Sequence, residues 1–480
     1  MPVIRRAIEM PGGNVPPLVL PSFRGKSMID GKRAESRKPS SVLATFRLLV
    51  GVLFSFEAIF ALYLYSNALK FIFPFPFPVD ETLVFAAMAA LTGMFIVLRK
   101  GIYQPGLLLI VMVLVFIGWV LVTWTWSPSR IIAKSYVKSY FAMNLFSVVA
   151  AGLVIAPARE RIIRFFLWTS FLATIVAIQG SWLYLNYGSI MFYEDFLYAG
   201  RAYLLWSYAT AFGSLVLFAI TIFSRFLSGK QLVSFLLLLP CMYFILVSGS
   251  RGALLGFGLG SVILLLGSGR LWEGRRLQVT TSQIIAALVF FSAVGYVVWM
   301  VVEGTATGSI ARFVKLFRQV GDDSVVLSAN RFSYFGFAIK LWLSAPIFGN
   351  GLGSFSISYR NMELSGSYPH NMFLEILAEY GLIGLVLFLM VLVYVCVTVG
   401  KSALMRDPVM LTLMAMFVLQ FTKAMVSGTV SNQSGMFAML GLLTAAPALA
   451  RSKSRWLAGD GSGKLPPSVT QPPFWIRWQA

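Results

Sequence analysis

Residues 104–124 read QPGLLLIVMVLVFIGWVLVTW, a run without a charged side chain. As a helix rising about 1.5 Å per residue it covers about 30 Å, the thickness of bilayer hydrocarbon. The rest of the chain follows the same pattern. Of its 480 residues 58% are hydrophobic and only 12% charged, with a mean hydropathy of +0.79. A soluble domain has no place to bury that much apolar surface. The fold class expected is therefore all-α, a polytopic membrane protein. Further apolar runs lie near 42–66, 80–98, 139–156, 162–185, 202–224, 231–248, 252–267, 282–302, 381–399, 409–427 and 434–449. With 104–124 they predict about twelve transmembrane helices.

The formal charge is +21, from 39 Lys and Arg against 18 Asp and Glu. In a soluble protein such an excess points to nucleic acid. Here no nucleic-acid partner is expected, and basic loops lying against anionic membrane lipids account for the charge. Cys241 and Cys396 both fall inside apolar runs and offer neither a disulfide framework nor metal-ligand spacing. With one histidine in the chain, a zinc site is not expected, and no residue is assigned as a metal ligand.

Residues 1–41 are basic and rich in Pro, Gly and Ser, without the apolar core and cleavage site of a signal peptide. They are expected to form a disordered cytoplasmic tail. Residues 42–450 form the expected transmembrane domain. Residues 451–480 form a second basic tail, whose Phe474, Trp475 and Trp478 fit either the membrane surface or disorder.

The positive-inside rule orients the spans. With both tails inside, Arg99-Lys100, Arg159/Arg161/Arg164, Arg225/Lys230, Arg270/Arg275/Arg276 and Lys401/Arg406 all fall on the cytoplasmic side. Segments 73–79, 124–138, 186–201, 248–251, 303–380 and 427–434 are then outside. In a Gram-negative cell they face the periplasm.

Cations that stay outside break that rule. They include Arg130, Lys134, Lys138, Arg201, Arg251, Arg312, Lys315, Arg318, Arg331, Lys340 and Arg360. Snorkelling to lipid headgroups accounts for Arg130, Lys134, Lys138, Lys315 and Arg318. Arg201 and Arg251 differ, because each sits at the outer mouth of a span. Arg251 is held in the short turn Ser248-Gly249-Ser250-Arg251. Guanidinium forks grip phosphate oxygens, and two or three converging suit a diphosphate. Lys423, just inside the outer end of its span, fits either reading. Glu57, inside the first span, is a packing partner or is left open. Gly252, Gly256 and Gly260 recur every four residues, a spacing that lets helix backbones approach.

The segment from about 303 to 380 is too polar for a span. Residues 329–343 predict an amphipathic helix with Phe332, Phe335, Ile339, Trp342 and Leu343 on one side, stopped by Pro346. Gly349-Asn350-Gly351-Leu352-Gly353 reads as a tight turn. No strand precedes it and no Lys-Ser/Thr follows, so it is not a nucleotide-binding loop, and no cofactor is expected. His370-Asn371 follows Pro369 at what reads as a helix amino end. Histidine is the side chain that exchanges protons near neutral pH, which makes His370 the candidate general base. The helix amino end disfavours imidazolium, whereas a bound diphosphate favours it. Asn371 and Glu375 are candidates to support the histidine. Glu375 and Glu379, one turn apart, otherwise read as a polar face.

These residues resemble the O-antigen ligase and polysaccharide polymerase superfamily of bacterial inner-membrane proteins. One matching pattern is Arg251, three residues, then Leu255. The other is His370-Asn371, nine residues, Gly381, two residues, Gly384. The lead-in from Arg331 through Pro346 to Gly349-Asn350-Gly351 is also similar. The resemblance implies a lipid-donor glycosyltransferase fold with one large helical periplasmic loop. It implies that a glycan on undecaprenyl diphosphate moves to an acceptor hydroxyl, without a nucleotide sugar and usually without metal. The acceptor is lipid A–core in a ligase, a growing polysaccharide in a polymerase, or a protein. His370 would be the catalytic base, and Arg201, Arg251 and Arg331 would bind the diphosphate. The competing class is a polysaccharide flippase or other transporter. Transporters place charges at the midplane and often show two related halves, whereas here the candidates gather on one face.

Overall fold

Asp80 and Asp407 show how the spans begin. Each turns its carboxylate onto the first free N–H groups of the helix that follows, Asp80 on Thr82 and Asp407 on Val409 and Met410. Those groups lack intrahelical partners, so a capping acceptor fixes where each helix starts. The computed structural model describes residues 51, 55–70, 72–73, 80–187, 199–224, 227–268, 270–273, 276–278, 284, 295, 299, 303, 326–363, 366–402, 404 and 407–457.

Helices α1 (Phe56–Leu69), α2 (Glu81–Lys100), α3 (Gln104–Trp124), α4 (Ile131–Ile155) and α5 (Arg159–Tyr187) come first. Then follow α6 (Ala199–Phe223), α7 (Gly229–Val247) and α8 (Arg251–Ser268). A short antiparallel ribbon of β1 (Arg270–Glu273) and β2 (Arg276–Gln278) comes next, pairing Arg270 with Gln278. The remaining helices are α9 (Val326–Ser344), α10 (Ser354–Arg360), α11 (Met372–Gly400), α12 (Pro408–Val426), α13 (Ser434–Leu443) and α14 (Ala446–Leu457).

Ten helical segments among the described residues are long and apolar enough to cross a membrane. The chain is a multi-pass, almost wholly helical membrane protein. Of the two other expected spans, the first half of 42–66 and nearly all of 282–302 lie outside the described residues, as do most of both tails.

Three expectations need correction. Segment 124–138 is not all loop, because α4 already starts at Ile131 and places Lys134 and Lys138 on a helix. Its charge had masked its helical start. The loop at Arg270, expected inside, contains the β1–β2 ribbon, a small departure from the expected all-α class. The polar segment ends earlier than 380, because α11 begins at Met372 and joins the apolar run 381–399 through a break at Gly381 (φ 67°, ψ −167°).

Short connections make successive helices antiparallel, so the bundle has two ends. At one end Arg159 donates to Asp407 at 2.8 Å, and Arg161 and Arg164 pair with buried Glu57 at 3.7 and 3.2 Å. Glu57 is thus a packing partner. The starts of α8 and α11 and the end of α12 lie at the other end, the His370 end. Helix α8 presses its glycine stripe into the bundle. A Cβ on Gly256 would stand 2.6 Å from a Leu419 methyl of α12, and one on Gly260 would stand 3.0 Å from the Ala415 carbonyl oxygen. Gly258, on the other face, has open space around it.

Gly256→Leu should therefore lower thermal stability by about 1–3 kcal/mol of overpacking. Gly258→Leu should leave it unchanged. Thermal unfolding of both variants in detergent measures the difference.

Candidate functional site

Glycine at position 381 lets α11 break. The break leaves the carbonyls of Ala378 and Glu379 and the N–H groups of Leu382 and Ile383 without intrahelical partners, and the preceding loop supplies them. Asn350 N donates to Ala378 O at 3.1 Å and Gly351 N to Glu379 O at 2.9 Å. In return Leu382 N donates to Pro346 O and Ile383 N to Ile347 O, at 2.9 and 3.2 Å. Trp119 Nε1 adds a bond to Tyr380 O at 2.9 Å and Trp126 Nε1 one to Gly349 O at 3.2 Å. Gly349, Gly351 and Gly353 all have positive φ, between 75° and 96°, as expected of the tight turn.

Two buried carboxylates hold the layer beneath His370. Glu379 accepts from Gly353 N at 2.8 Å and from Phe355 N at 3.3 Å, which fixes the start of α10. Glu375 accepts from Val430 N with both oxygens at 3.2 Å. Asn144, from a π-helical stretch of α4, donates to the Val430 carbonyl at 2.9 Å. The polar-face reading of these glutamates is thus overturned, because both are buried. Spacing along one helix face does not reveal whether that face meets water or backbone N–H groups. Above them, Glu363 caps α4 by accepting from Arg130, Ile131 and Ile132 N at 2.8, 2.7 and 2.9 Å. Desolvation acts to raise the Glu363 pKa, but the backbone donors and Ser129 outweigh it and hold the carboxyl below its usual range. Ionised Glu363 therefore supports the fold above the ordinary carboxylate pKa, and this support fades as pH falls through its lower folded value.

On this frame stands His370. Asn371 is the N-cap of α11, its Oδ1 accepting from Leu374 N at 3.1 Å, so the predicted helix amino end is there. His370 is half-buried and has φ +57°, the left-handed region. Its imidazole lies between two tyrosines, 4.1 Å from the Tyr368 ring and 5.7 Å from that of Tyr334, centroid to centroid. The exposed Arg360 donates to the Tyr334 hydroxyl at 3.0 Å, a bond that raises its pKa further. It sits within 5.1 Å of the Tyr359 ring centre.

Tyr368 leads on to α12. Its hydroxyl accepts from Gly428 N at 3.2 Å, two residues past the end of that helix. Gly252, next to Arg251, packs against Val426 and the Tyr208 hydroxyl. A Cβ there would stand 2.9 Å from a Val426 methyl. His370 and Arg251 therefore flank the same few residues, Val426 to Gly428. Arg251 is the first residue of α8, after the expected turn with Gly249 at φ +81°.

Arg201 and Arg331 stand in α6 and α9, but their side chains lie outside the described residues. Arg201 precedes Tyr208 by seven positions along α6, about 10 Å of helix rise. Arg312, Lys315 and Arg318 lie wholly outside the described residues. Sequence reading missed Tyr334, Tyr368 and Arg360 as neighbours of the histidine. Only the proximity of Tyr368 was legible there.

Helix α9, Val326–Ser344, covers the expected 329–343. Ala338 is buried, with Tyr334, Phe337 and Leu341 packed beside it against Phe355 and Ala378. The predicted face is turned outward, with Phe332, Ile339 and Leu343 among the exposed large hydrophobics. The helix is apolar nearly all round, so periodicity alone could not choose.

Among the described residues no group of three His, Cys, Asp or Glu is arranged to hold a metal. A cavity of about 750 Å³ is at the opposite end of the bundle from His370, lined by Tyr103, Gln104, Arg159, Glu160 and Arg451. Its volume is not a reason to prefer it. The residues suited to proton transfer and phosphate binding are at the His370 end.

Residues 232–389 match the family model described as O-antigen ligase. The match covers about a third of the chain, and it makes that stretch similar to the O-antigen ligase family. The family match spans most of α7, all of α8, α9 and α10, and α11 as far as Leu389. It includes Arg251, Arg331 and His370 and leaves out Arg201 and Lys423. No curated protein matches the chain.

Because His370 holds a left-handed backbone, His370→Gly should be about 1 kcal/mol more stable than His370→Ala. Gly381→Ala should cost about 1–2 kcal/mol or more, since its Cβ would run into the Ile347 carbonyl. Thermal unfolding in detergent checks both.

Proposed function

We propose that this protein is an O-antigen ligase-like glycosyltransferase that moves a glycan from undecaprenyl diphosphate to an acceptor hydroxyl at the His370 end of the bundle. The reading is supported by two contacts at the end of α12: Gly252, next to Arg251, packs on Val426, and Tyr368, whose ring lies on His370, bonds Gly428; Arg251 and His370 both belong to the stretch matched to the O-antigen ligase family. His370 takes the proton of the acceptor hydroxyl. The acceptor oxygen bonds to the anomeric carbon from the face opposite the phosphate. The carbon–phosphate oxygen bond breaks, and the sugar configuration inverts. The departing diphosphate carries the negative charge, and Arg251, with Arg201 and Arg331, stabilises it electrostatically. Asn371 positions the histidine backbone as the helix cap, and Glu375 acts one layer further back.

The acceptor in this reading is lipid A–core, with a growing polysaccharide as the alternative in the polymerase of the same superfamily. The protein sits in the bacterial inner membrane with about twelve spans, residues 42–450. Both basic tails, 1–41 and 451–480, are cytoplasmic, and the His370 end, with the segment near 303–380, is periplasmic. Charge neutralisation by guanidinium groups makes the transfer independent of a divalent ion.

Reconstituted protein supplied with undecaprenyl-diphosphate glycan and acceptor should form acceptor-linked glycan. His370→Gly should lose at least about 100-fold of that rate, the contribution typical of a general base. Full activity in His370→Gly would remove the base assignment. Arg251→Lys should recover only part of what Arg251→Ala loses, because lysine lacks the planar fork. The wild-type rate should be unchanged in EDTA. Strict loss restored by magnesium would overturn the metal-independent route.

A further inference from the structure

Lys423 is a cation set into a membrane-spanning helix one turn before its end. It lies on α12, and its carbonyl accepts from Ser427 N at 2.7 Å. The side chain is half-buried, and its ammonium stands 5.8 Å from the centre of the Tyr208 ring. None of the ion pairs among the described residues involves it. A charge withdrawn from water without a carboxylate is costly, so such a residue is kept where an anion arrives to pair with it. The surroundings say where that anion would sit. The Tyr208 hydroxyl packs on Gly252, the neighbour of Arg251, and Gly252 also meets Val426, one turn beyond Lys423. Gly428 in turn holds Tyr368, whose ring lies on His370.

We propose that Lys423 is a further cationic contact to the phosphates of the lipid-linked donor, placed on the Tyr208 side of Arg251. The inference rests on the transfer reading above and adds to it a residue outside the stretch matched to the family. A lysine suits this role as a mobile point charge. Its flexible stem reaches a phosphate oxygen, while the arginine fork sets the orientation. Among the described residues no carboxylate pairs with this ammonium, and donor binding supplies the anion. A lysine that only snorkels to lipid headgroups, or that only packs on Tyr208, would make no contact to the donor.

The test uses the full chain in lipid nanodiscs, with undecaprenyl diphosphate, undecaprenyl monophosphate and undecaprenol as probes. Lys423→Met should weaken binding of the diphosphate lipid by at least about ten-fold, the loss expected for one charge-assisted contact. It should leave undecaprenol binding unchanged. Lys423→Arg should retain most of the diphosphate affinity. Without ligand, Lys423→Met should unfold at the same temperature as the wild type or higher, since an unpaired charge has been removed. Wild-type-like diphosphate binding by Lys423→Met overturns the inference and leaves the transfer reading standing. So does an equal loss for undecaprenol, or a clear drop in the unfolding temperature, either of which marks a packing role. Failure of the wild-type protein to bind undecaprenyl diphosphate removes the transfer reading and this inference together.

Discussion

The Glu375 carboxylate, buried in the bundle, accepts the Val430 N–H, and the site depends on that bond. Glu375 is in the first turn of α11, just after His370, while Val430 opens the connection between α12 and α13. The bond therefore holds the base of the histidine segment to the end of α12. Glu379, one turn on, does the same for the Gly353–Phe355 loop. Removing either carboxylate would strand backbone N–H groups in an apolar interior, where an unmade hydrogen bond costs about 1–3 kcal/mol. These glutamates link chain segments far apart in sequence, and they do so beneath the one histidine.

The break at Gly381 is the second half of the same construction. An unbroken α11 would have no free backbone groups to offer. The break exposes two carbonyls and two N–H groups at the level where the polar loop enters, and residues 346–351 pair with them. A loop that would otherwise be loosely held becomes a strap across the helix. Aromatic side chains of α9 and α10 close over it, with Tyr334, Phe337 and Phe355 packed edge to face. The imidazole is thus held by rigid elements at a membrane end, which suits the proton transfer proposed for it.

Much of this was legible in the sequence. Apolar runs such as 104–124 gave the spans, because in a bilayer every backbone polar group must be satisfied within the helix. Pro369 and Asn371 marked the start of α11, and the four-residue glycine spacing of α8 marked a close helix contact. What was not legible depended on partners distant in sequence. The burial of Glu375 and Glu379 follows from N–H groups of Val430, Gly353 and Phe355 that no local pattern points to. Which side of α9 faces outward was not legible, because both of its faces are apolar. The start of α4 was hidden by Lys134 and Lys138, whose charges read as loop. The two motifs that carry the family resemblance proved to be physically distinct devices. Gly381 is a break, and Arg251 caps a turn whose neighbouring glycine seats the helix on α12.

The central claim is that one end of α12 collects a base and cations around a lipid diphosphate. It is tested most directly by cryo-electron microscopy of the protein bound to undecaprenyl diphosphate. The account predicts phosphate density beside Val426–Gly428, within contact of Arg251 and on the side facing His370. Phosphate density in the opposite cavity, against Arg159 and Arg451, with the His370 end empty, would contradict it.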